Sequence, residues 1–290
     1  MKKFNKLFAI IFLGVLFTSC DKEKNPIQNP TSANNPNSTP TGTTQTLVRK
    51  VMMEDYSGHK CGNCPRAGAV LKNLYKDNPN TIVPIVIHSG NFAKADAVGT
   101  YTYEFRTPVG NDWSSSAGFN IGAYPSGIIN RKDFGGGLTV GETSWASNFG
   151  LAKNDPYILG LTLTRNYNET TKALLVDVKA KFKISHNNNV KLNVILTEDS
   201  IISPQTDYDL PSGSQTKFDY VHMYVLRASL NGSWGQTLKN TPILPNDSLI
   251  INLPSYTLDN KFVPKNISIV AFAYDEVTRE VLQVEKIKLK

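Results

Sequence analysis

The chain has 290 residues, of which 40% are hydrophobic and 19% charged, and its formal net charge is +7. This charge is small and is evenly mixed along the chain, so we do not expect the protein to bind nucleic acid. No stretch after residue 19 is apolar enough to span a membrane, and removing the three lysines of residues 1–19 would lower the charge from +7 to +4.

Residues 1–19 have the pattern of an export signal. Three lysines lie in the first six residues, an apolar run extends from Leu7 to Phe17, and two small residues precede Cys20. The segment Phe17-Thr18-Ser19-Cys20 resembles a bacterial lipobox, which implies diacylglycerol on the Cys20 sulfur and attachment to a membrane through this N-terminal lipid. An ordinary secretory signal with an incidental cysteine is the alternative.

Residues 20–45 are expected to be the lipidated cysteine and a disordered tether. Four prolines lie among Asn, Ser and Thr, and Ile27 is the one large aliphatic residue. Such a segment cannot bury enough apolar surface to offset its ordering entropy. Its length would reach roughly 80 Å when fully extended. The acidic Asp21 and Glu23 resemble the short charged signals that send lipoproteins to the cell surface. The sequence does not decide whether the protein faces the periplasm or the cell surface.

Residues 46–154 alternate between strand-like and helix-like segments, which predicts an α/β domain. The predicted strands are Leu47–Tyr56, Thr81–His88 and Tyr124–Asn130, and the predicted helices are Pro65–Tyr75 and Glu142–Lys153. The continuous apolar run of the second strand is typical of a sheet that is covered on both faces. Residues 91–119 are expected to add helices near one edge of this domain.

Cys61 and Cys64 lie between the first predicted strand and the first predicted helix. A helix N-terminus stabilises a thiolate, and the two intervening residues let one sulfur attack the other. In an exported chain this spacing favours a redox couple, with a static structural disulfide as the alternative. We expect Cys61 to be the exposed attacking sulfur and Cys64 the resolving one. His59 and Lys60 are candidate modulators, since positive charge lowers a thiol pKa.

This domain resembles the thioredoxin superfamily in its strand, its Cys-Gly-Asn-Cys-Pro segment and its later Tyr124-Pro125 pair. The resemblance implies that Asp55 is a buried acid that moves protons during exchange, and that Pro125 is a cis proline packed against the cysteines. Glu54 would replace Asp55 if the strand register differed.

His88, at the carboxyl end of the second predicted strand, is a further candidate modulator, with a hydrogen-bonded loop histidine as the alternative. No cofactor is expected. A zinc site is excluded because Cys61 and Cys64 have no second spaced pair of ligands.

Residues 155–290 are predicted to form an all-β antiparallel sandwich, for which an immunoglobulin-like arrangement is one form. The seven predicted strands are Tyr157–Arg165, Lys172–Ser185, Val190–Asp199, Phe218–Leu230, Ser248–Leu253, Ile267–Asp275 and Val281–Lys288. The strict alternation from Val176 to Ile184 indicates one buried and one wet face. Sandwiches of this kind are typical binding and spacing domains, so a surface polymer, host protein or envelope protein is the expected ligand.

The segment Tyr220–Gly235, with His222, Arg227 and Trp234, resembles the signature of the twenty-eight-kilodalton outer-membrane lipoprotein family of the Bacteroidota. Cys61–Pro65 and Tyr124–Arg131 resemble two further patterns of that family. The resemblance implies a lipid-anchored protein of the outer membrane. Two functions follow: thiol–disulfide exchange with an unidentified protein thiol or disulfide, or non-catalytic surface binding with a structural Cys61–Cys64 disulfide.

Overall fold

The structure is a computed structural model and describes residues 48–290. The expected export signal (residues 1–19), the lipidated Cys20 and the tether (residues 20–45) lie outside the described residues. Between residues 48 and 290, none of the helices combines the length and the hydropathy that a membrane crossing requires.

Strands outnumber helices in this part of the chain. The strands are β1 (Val51–Ser57), β2 (Ile82–His88), β3 (Ser126–Ile129), β4 (Leu159–Tyr167), β5 (Ala173–Phe182), β6 (Val190–Glu198), β7 (Ile201–Ile202), β8 (Gln205–Thr206), β9 (Thr216–Lys217), β10 (Val221–His222), β11 (Val225–Ser229), β12 (Gln236–Lys239), β13 (Ser248–Asn252), β14 (Tyr256–Thr257), β15 (Ile267–Asp275) and β16 (Val281–Lys288). The helices are α1 (Cys64–Asp77), α2 (Pro108–Ser114) and α3 (Trp145–Ala152), with short 3₁₀ turns at Asn91–Ala93, Glu142–Ser144 and Pro264–Asn266.

The largest sheet has eight strands in the order β16-β15-β6-β11-β2-β1-β3, and β12 also pairs with β6. β1, β2 and β11 run parallel, whereas the other neighbours are antiparallel. Strands from both sides of the predicted boundary at residue 154 therefore share one mixed sheet. The structure differs here from the expectation of an α/β domain followed by a separate sandwich, because backbone groups at the edge of β2 find their partners in β11.

The four-stranded sheet of β4, β5, β13 and β14 packs on the antiparallel part of the large sheet. Along β5, alternate residues point into this core, and the intervening Lys179 and Lys181 are exposed, as the sequence alternation predicts. β15 differs, because all nine of its residues are buried. One face of β15 contacts the four-stranded sheet, and its other face contacts the α/β half, where Phe272 meets Trp113.

Candidate functional site

Cys61 and Cys64 form a disulfide at the junction between β1 and α1, with their Cα atoms 5.4 Å apart. Cys64 is the first residue of α1 and Pro65 lies in its first turn, where a missing backbone N–H costs nothing. The Cys64 N–H donates to the Cys61 carbonyl at 3.3 Å, which closes the turn around the pair. The strand-to-helix position that the sequence predicts for this motif is confirmed.

A hairpin from the second half of the chain covers the motif. We call residues 205–217, which comprise β8, β9 and the loop between them, the strap. The Thr206 N–H donates to the His59 carbonyl at 2.8 Å, and the Tyr208 N–H donates to the Gly62 carbonyl at 2.9 Å. The buried Gln205 side chain donates to the Cys61 carbonyl at 3.0 Å. The strap therefore runs along the motif as an extended peptide held by main-chain hydrogen bonds.

The predicted exposure of Cys61 is wrong, because Cys61 and Cys64 are each only 3% exposed. The cause is the strap, which a local sequence pattern does not reveal. No strand or helix prediction involved Gln205 or Tyr208. The turn residues Pro211, Ser212 and Gly213, which lie between β8 and β9, are the sequence signal that could have indicated this hairpin.

The register of β1 distinguishes the two candidate acids. Successive side chains of a strand point to opposite faces, so Glu54 and Asp55 face different layers. Glu54 forms a fully buried ion pair with Arg131, at 2.8 Å between Oε1 and Nη2. Asp55 faces α1 and lines a cavity of about 560 Å³ together with Cys64. Asp55 therefore shares a cavity wall with Cys64, whereas Glu54 is paired with Arg131.

The Asp55 carboxyl is 2% exposed and, within residues 48–290, its Oδ1 has no hydrogen-bond partner. Burial raises its pKa from 3.8 to about 8, and the charge of Glu142 adds to this rise. At neutral pH the group is mainly a carboxylic acid. It can therefore release and accept a proton within the physiological pH range.

Three buried histidines lie around Phe105, beside the motif. The ring centroid of Phe105 is 4.4 Å from that of His88, 4.6 Å from that of His222 and 5.5 Å from that of His59. Burial lowers the pKa of all three, that of His222 to about 4 and that of His88 well below 6.5. His59 is thus a neutral core side chain, which corrects the expectation of an exposed cation beside Cys61.

The structure also shows which groups surround His88 and Lys60, the other predicted modulators. His88 ends β2, as the sequence predicts, but it is buried rather than a loop histidine. Lys60 forms an ion pair with Asp96 at 2.5 Å, so its charge is partly neutralised by this carboxylate. The His222 Nε2–H donates to the Ser203 carbonyl at 3.2 Å. In the region from residue 48 onward, no group of three or more His, Cys, Asp or Glu side chains is arranged to hold a metal ion.

Pro125 lies at the same end of β1 as the motif. The next residue, Ser126, pairs with Tyr56, and the Tyr124–Pro125 peptide bond is cis, as the resemblance to thioredoxins implies. The role of Pro125 in exchange stays a prediction.

Gly62 allows the strap to approach the motif, and replacing it tests this contact. A Cβ atom at this position would lie 2.3 Å from the Tyr208 ring. We expect Gly62→Ala to displace Tyr208, to lower the free energy of unfolding by about 1 kcal/mol and to speed hydrogen exchange at the Thr206 and Tyr208 amides. Gly122→Ala, where a Cβ would meet no atom within 4 Å, is the matched control. Unchanged exchange at both amides would contradict the close approach of the strap.

The sequence model of the family described as "Outer membrane protein Omp28" matches residues 113–290, which is more than half of the chain. This range includes Tyr124–Arg131 and Tyr220–Gly235, on which the predicted resemblance rests. Cys61–Pro65 lies before it, so the match covers less of the chain than the resemblance implied. A search of curated proteins finds none that matches.

The solved structures that are similar to this chain include three proteins of bacterial origin. HBP35 of Porphyromonas gingivalis is 13% identical with a TM-score of 0.61, and the match covers 84% of this chain and 76% of that one. A protein from Agrobacterium tumefaciens is 11% identical with a TM-score of 0.50, covering 84% and 96%. A domain of the outer membrane lipoprotein Omp28 from P. gingivalis is 22% identical with a TM-score of 0.30, covering 46% and 89%.

Proposed function

Because the chain belongs to the Omp28 outer membrane protein family and is thus located at the outer membrane, we propose that it performs thiol–disulfide exchange there through Cys61 and Cys64. The observation that carries the proposal is the cavity that Cys64 shares with Asp55, a buried acid whose pKa is about 8. Lipid attachment at Cys20 and the tether of residues 20–45 complete the proposal and would keep the folded part near the membrane.

A thioredoxin-like arrangement of residues 48–154 is part of the same proposal. Its support is local: β1 leads through the motif into α1, α1 leads into β2, which is parallel to β1, and β3 pairs antiparallel with β1 after the cis Pro125. The α/β order and the position of the motif at a helix N-terminus favour a thiolate at this end of the sheet.

In the proposed reaction the reduced protein attacks a disulfide of an unidentified protein partner. The Cys61 thiolate forms a bond to one partner sulfur, and the partner disulfide breaks with its electron pair on the other sulfur, which takes a proton from water. Cys64 then gives its proton to the Asp55 carboxylate and attacks the Cys61 sulfur. This step restores the Cys61–Cys64 disulfide and releases the second partner sulfur as a thiolate, which takes a proton from water. The partner is reduced by two electrons and the cysteine pair is oxidised by two.

The test is trapping by the Cys64→Ser variant. Without the resolving sulfur, we expect a mixed disulfide between Cys61 and its partner to accumulate, whereas a variant with both cysteines replaced by serine traps nothing. The reduction potential of the wild-type pair is expected to lie above about −300 mV, the range below which structural disulfides fall. No trapped partner, together with a potential below that range, would exclude the exchange function.

A static disulfide in a surface-binding protein is the second candidate function. The observation that favours it is the burial of both cysteines under the strap, since each is only 3% exposed. In this case the sandwich half would bind a surface polymer, a host protein or an envelope protein. The trapping experiment distinguishes the two functions, because exchange requires a partner to displace the strap from Cys61.

A further inference from the structure

The cavity beside the motif lies between α1 and the strap. Cys64 and Lys72 contribute to one wall, and Asp207 and Lys217 of the strap contribute to the other. Its volume of about 560 Å³ is typical of sites that hold small molecules rather than folded proteins. Cys64 belongs to the cavity wall, whereas the Cys61 backbone is hydrogen-bonded to the strap. Of the two cysteines, Cys64 is thus the one that lines the cavity.

The charges around the cavity come in both signs. Lys72 and Lys217 are exposed cations of its wall, and Asp207 and the exposed Asp219 are its anions. A ligand that carries both carboxylate and ammonium groups would find a partner for each of them. This arrangement fits amino acids and short peptides better than an apolar molecule or a polyanion.

The inner wall has unfilled hydrogen-bonding positions. Among the described residues, Asp55 Oδ1 and His88 Nδ1 have no hydrogen-bond partner, although Asp55 and His88 are only 2% and 3% exposed and both line the cavity. Buried polar atoms without a partner cost free energy, which a bound ligand or water would recover. The cavity thus combines a cysteine of the disulfide, unpaired polar atoms and charges of both signs.

We propose that this cavity admits a low-molecular-mass thiol of the amino-acid or peptide type, which reduces the Cys61–Cys64 disulfide by attacking Cys64. The proposal rests on the exchange function and names its source of electrons.

The small thiol reduces the disulfide in two successive exchanges. The small thiolate forms a bond to Cys64 Sγ, the Cys61–Cys64 bond breaks, and Cys61 leaves with the electron pair as the thiolate that later attacks the protein partner. A second small thiolate attacks the small-molecule sulfur of the mixed disulfide. Cys64 is released and receives its proton from the Asp55 carboxyl, and the two small thiols leave as one disulfide. The cysteine pair gains two electrons and is ready to attack a protein partner.

The first test locates the small thiol on the native protein. Oxidised wild-type protein is mixed with reduced glutathione, the reaction is stopped with acid at the earliest times, and peptide fragmentation in a mass spectrometer locates the glutathione. We expect it on Cys64, with Cys61 as the free thiol. Glutathione on Cys61, or no adduct while the protein still traps a partner in the Cys64→Ser variant, would overturn this proposal and leave the exchange function intact.

The second test narrows the cavity. Ala69 is an exposed residue of α1 that lines the cavity, so Ala69→Trp is expected to slow reduction by glutathione about tenfold. Asn73→Trp adds the same ring at an exposed position of α1 that lies outside the cavity wall, and is expected to leave the rate unchanged. Equal rates in the two variants would overturn entry through the cavity. Partner trapping by each variant combined with Cys64→Ser checks separately that the exchange function persists.

Discussion

The Asp55→Asn variant is expected to be more stable than the wild-type protein at pH 8, by up to roughly 5 kcal/mol. Burial raises the pKa of the Asp55 carboxyl from 3.8 to about 8, so the folded protein binds more protons than the unfolded chain between these pH values. The contribution of Asp55 to stability is therefore fully present below about pH 4 and is lost as the pH rises towards 8. Asparagine has no charged form, so the variant avoids this loss.

Denaturation by urea between pH 4 and 9, with the disulfide intact, measures this effect. His88 and His222 act in the opposite sense, because burial lowers their pKa values and stability is lost as the pH falls below about 6.5. They are present in both proteins, so the difference between the two stability curves isolates Asp55. The exposed Asp219 supplies the control Asp219→Asn, which should follow the wild-type curve. Parallel curves for wild type and Asp55→Asn would show that the carboxyl is not desolvated.

The same substitution is expected to slow exchange about a hundredfold, because asparagine cannot accept the Cys64 proton. The rate is measured as turnover of a protein disulfide across the same pH range. A gain in stability without a loss of rate would mean that Asp55 is buried but takes no part in proton transfer. Loss of both would indicate that the amide disturbs the fold around α1.

The Arg131→Ala variant is expected to lose about 3–5 kcal/mol of unfolding free energy. Both side chains of the Arg131–Glu54 pair are fully buried, and the guanidinium lies 4.6 Å from the ring centre of Trp113 and 4.8 Å from that of Phe272. Removing the cation leaves the Glu54 carboxylate buried without its partner, and also leaves a void between the rings. Denaturation by urea at pH 7 measures the loss.

Two further variants separate charge from packing. Replacing both partners, Glu54→Leu with Arg131→Met, is expected to recover most of the stability, because a buried ion pair contributes little more than an apolar pair of similar volume. Arg106→Ala breaks a solvent-accessible pair with Glu104 and is expected to cost about 0–1 kcal/mol. If Arg131→Ala lowers the free energy of unfolding by no more than Arg106→Ala does, the buried ion pair does not stabilise the fold.

Local sequence signals predicted the elements that position the site. The elements from β1 through the motif and α1 to β2 lie where periodicity and capping place them. Helix α3 lies within the predicted closing helix. The sequence did not show whether Asp55 or Glu54 lies on the same side of β1 as the cysteine motif, because this depends on which layer covers each face of the strand. The predicted strand Phe218–Leu230 is divided into β10 and β11, since Tyr224 has a positive φ of 58° and interrupts the extended chain.

Local sequence signals did not predict the contacts between residues that are far apart in the sequence. The pairing of β11 with β2 joins the two halves in one sheet, and no local pattern specifies which edge a strand will meet. Both faces of β15 are buried, and the residues that cover its second face lie far earlier in the chain. The burial of Cys61 and His59 depends on the strap and on Phe105, which local patterns do not connect with the motif.

The strap also sets an order of events during synthesis. Gln205 lies 144 positions after Cys61, the residue whose carbonyl it holds. A chain is made from its N-terminus, so both cysteines emerge well before the segment that covers them. During this interval an oxidant has open access to the nascent pair. The disulfide can therefore form first, and the arrival of residues 205–217 then encloses a bond that is already made.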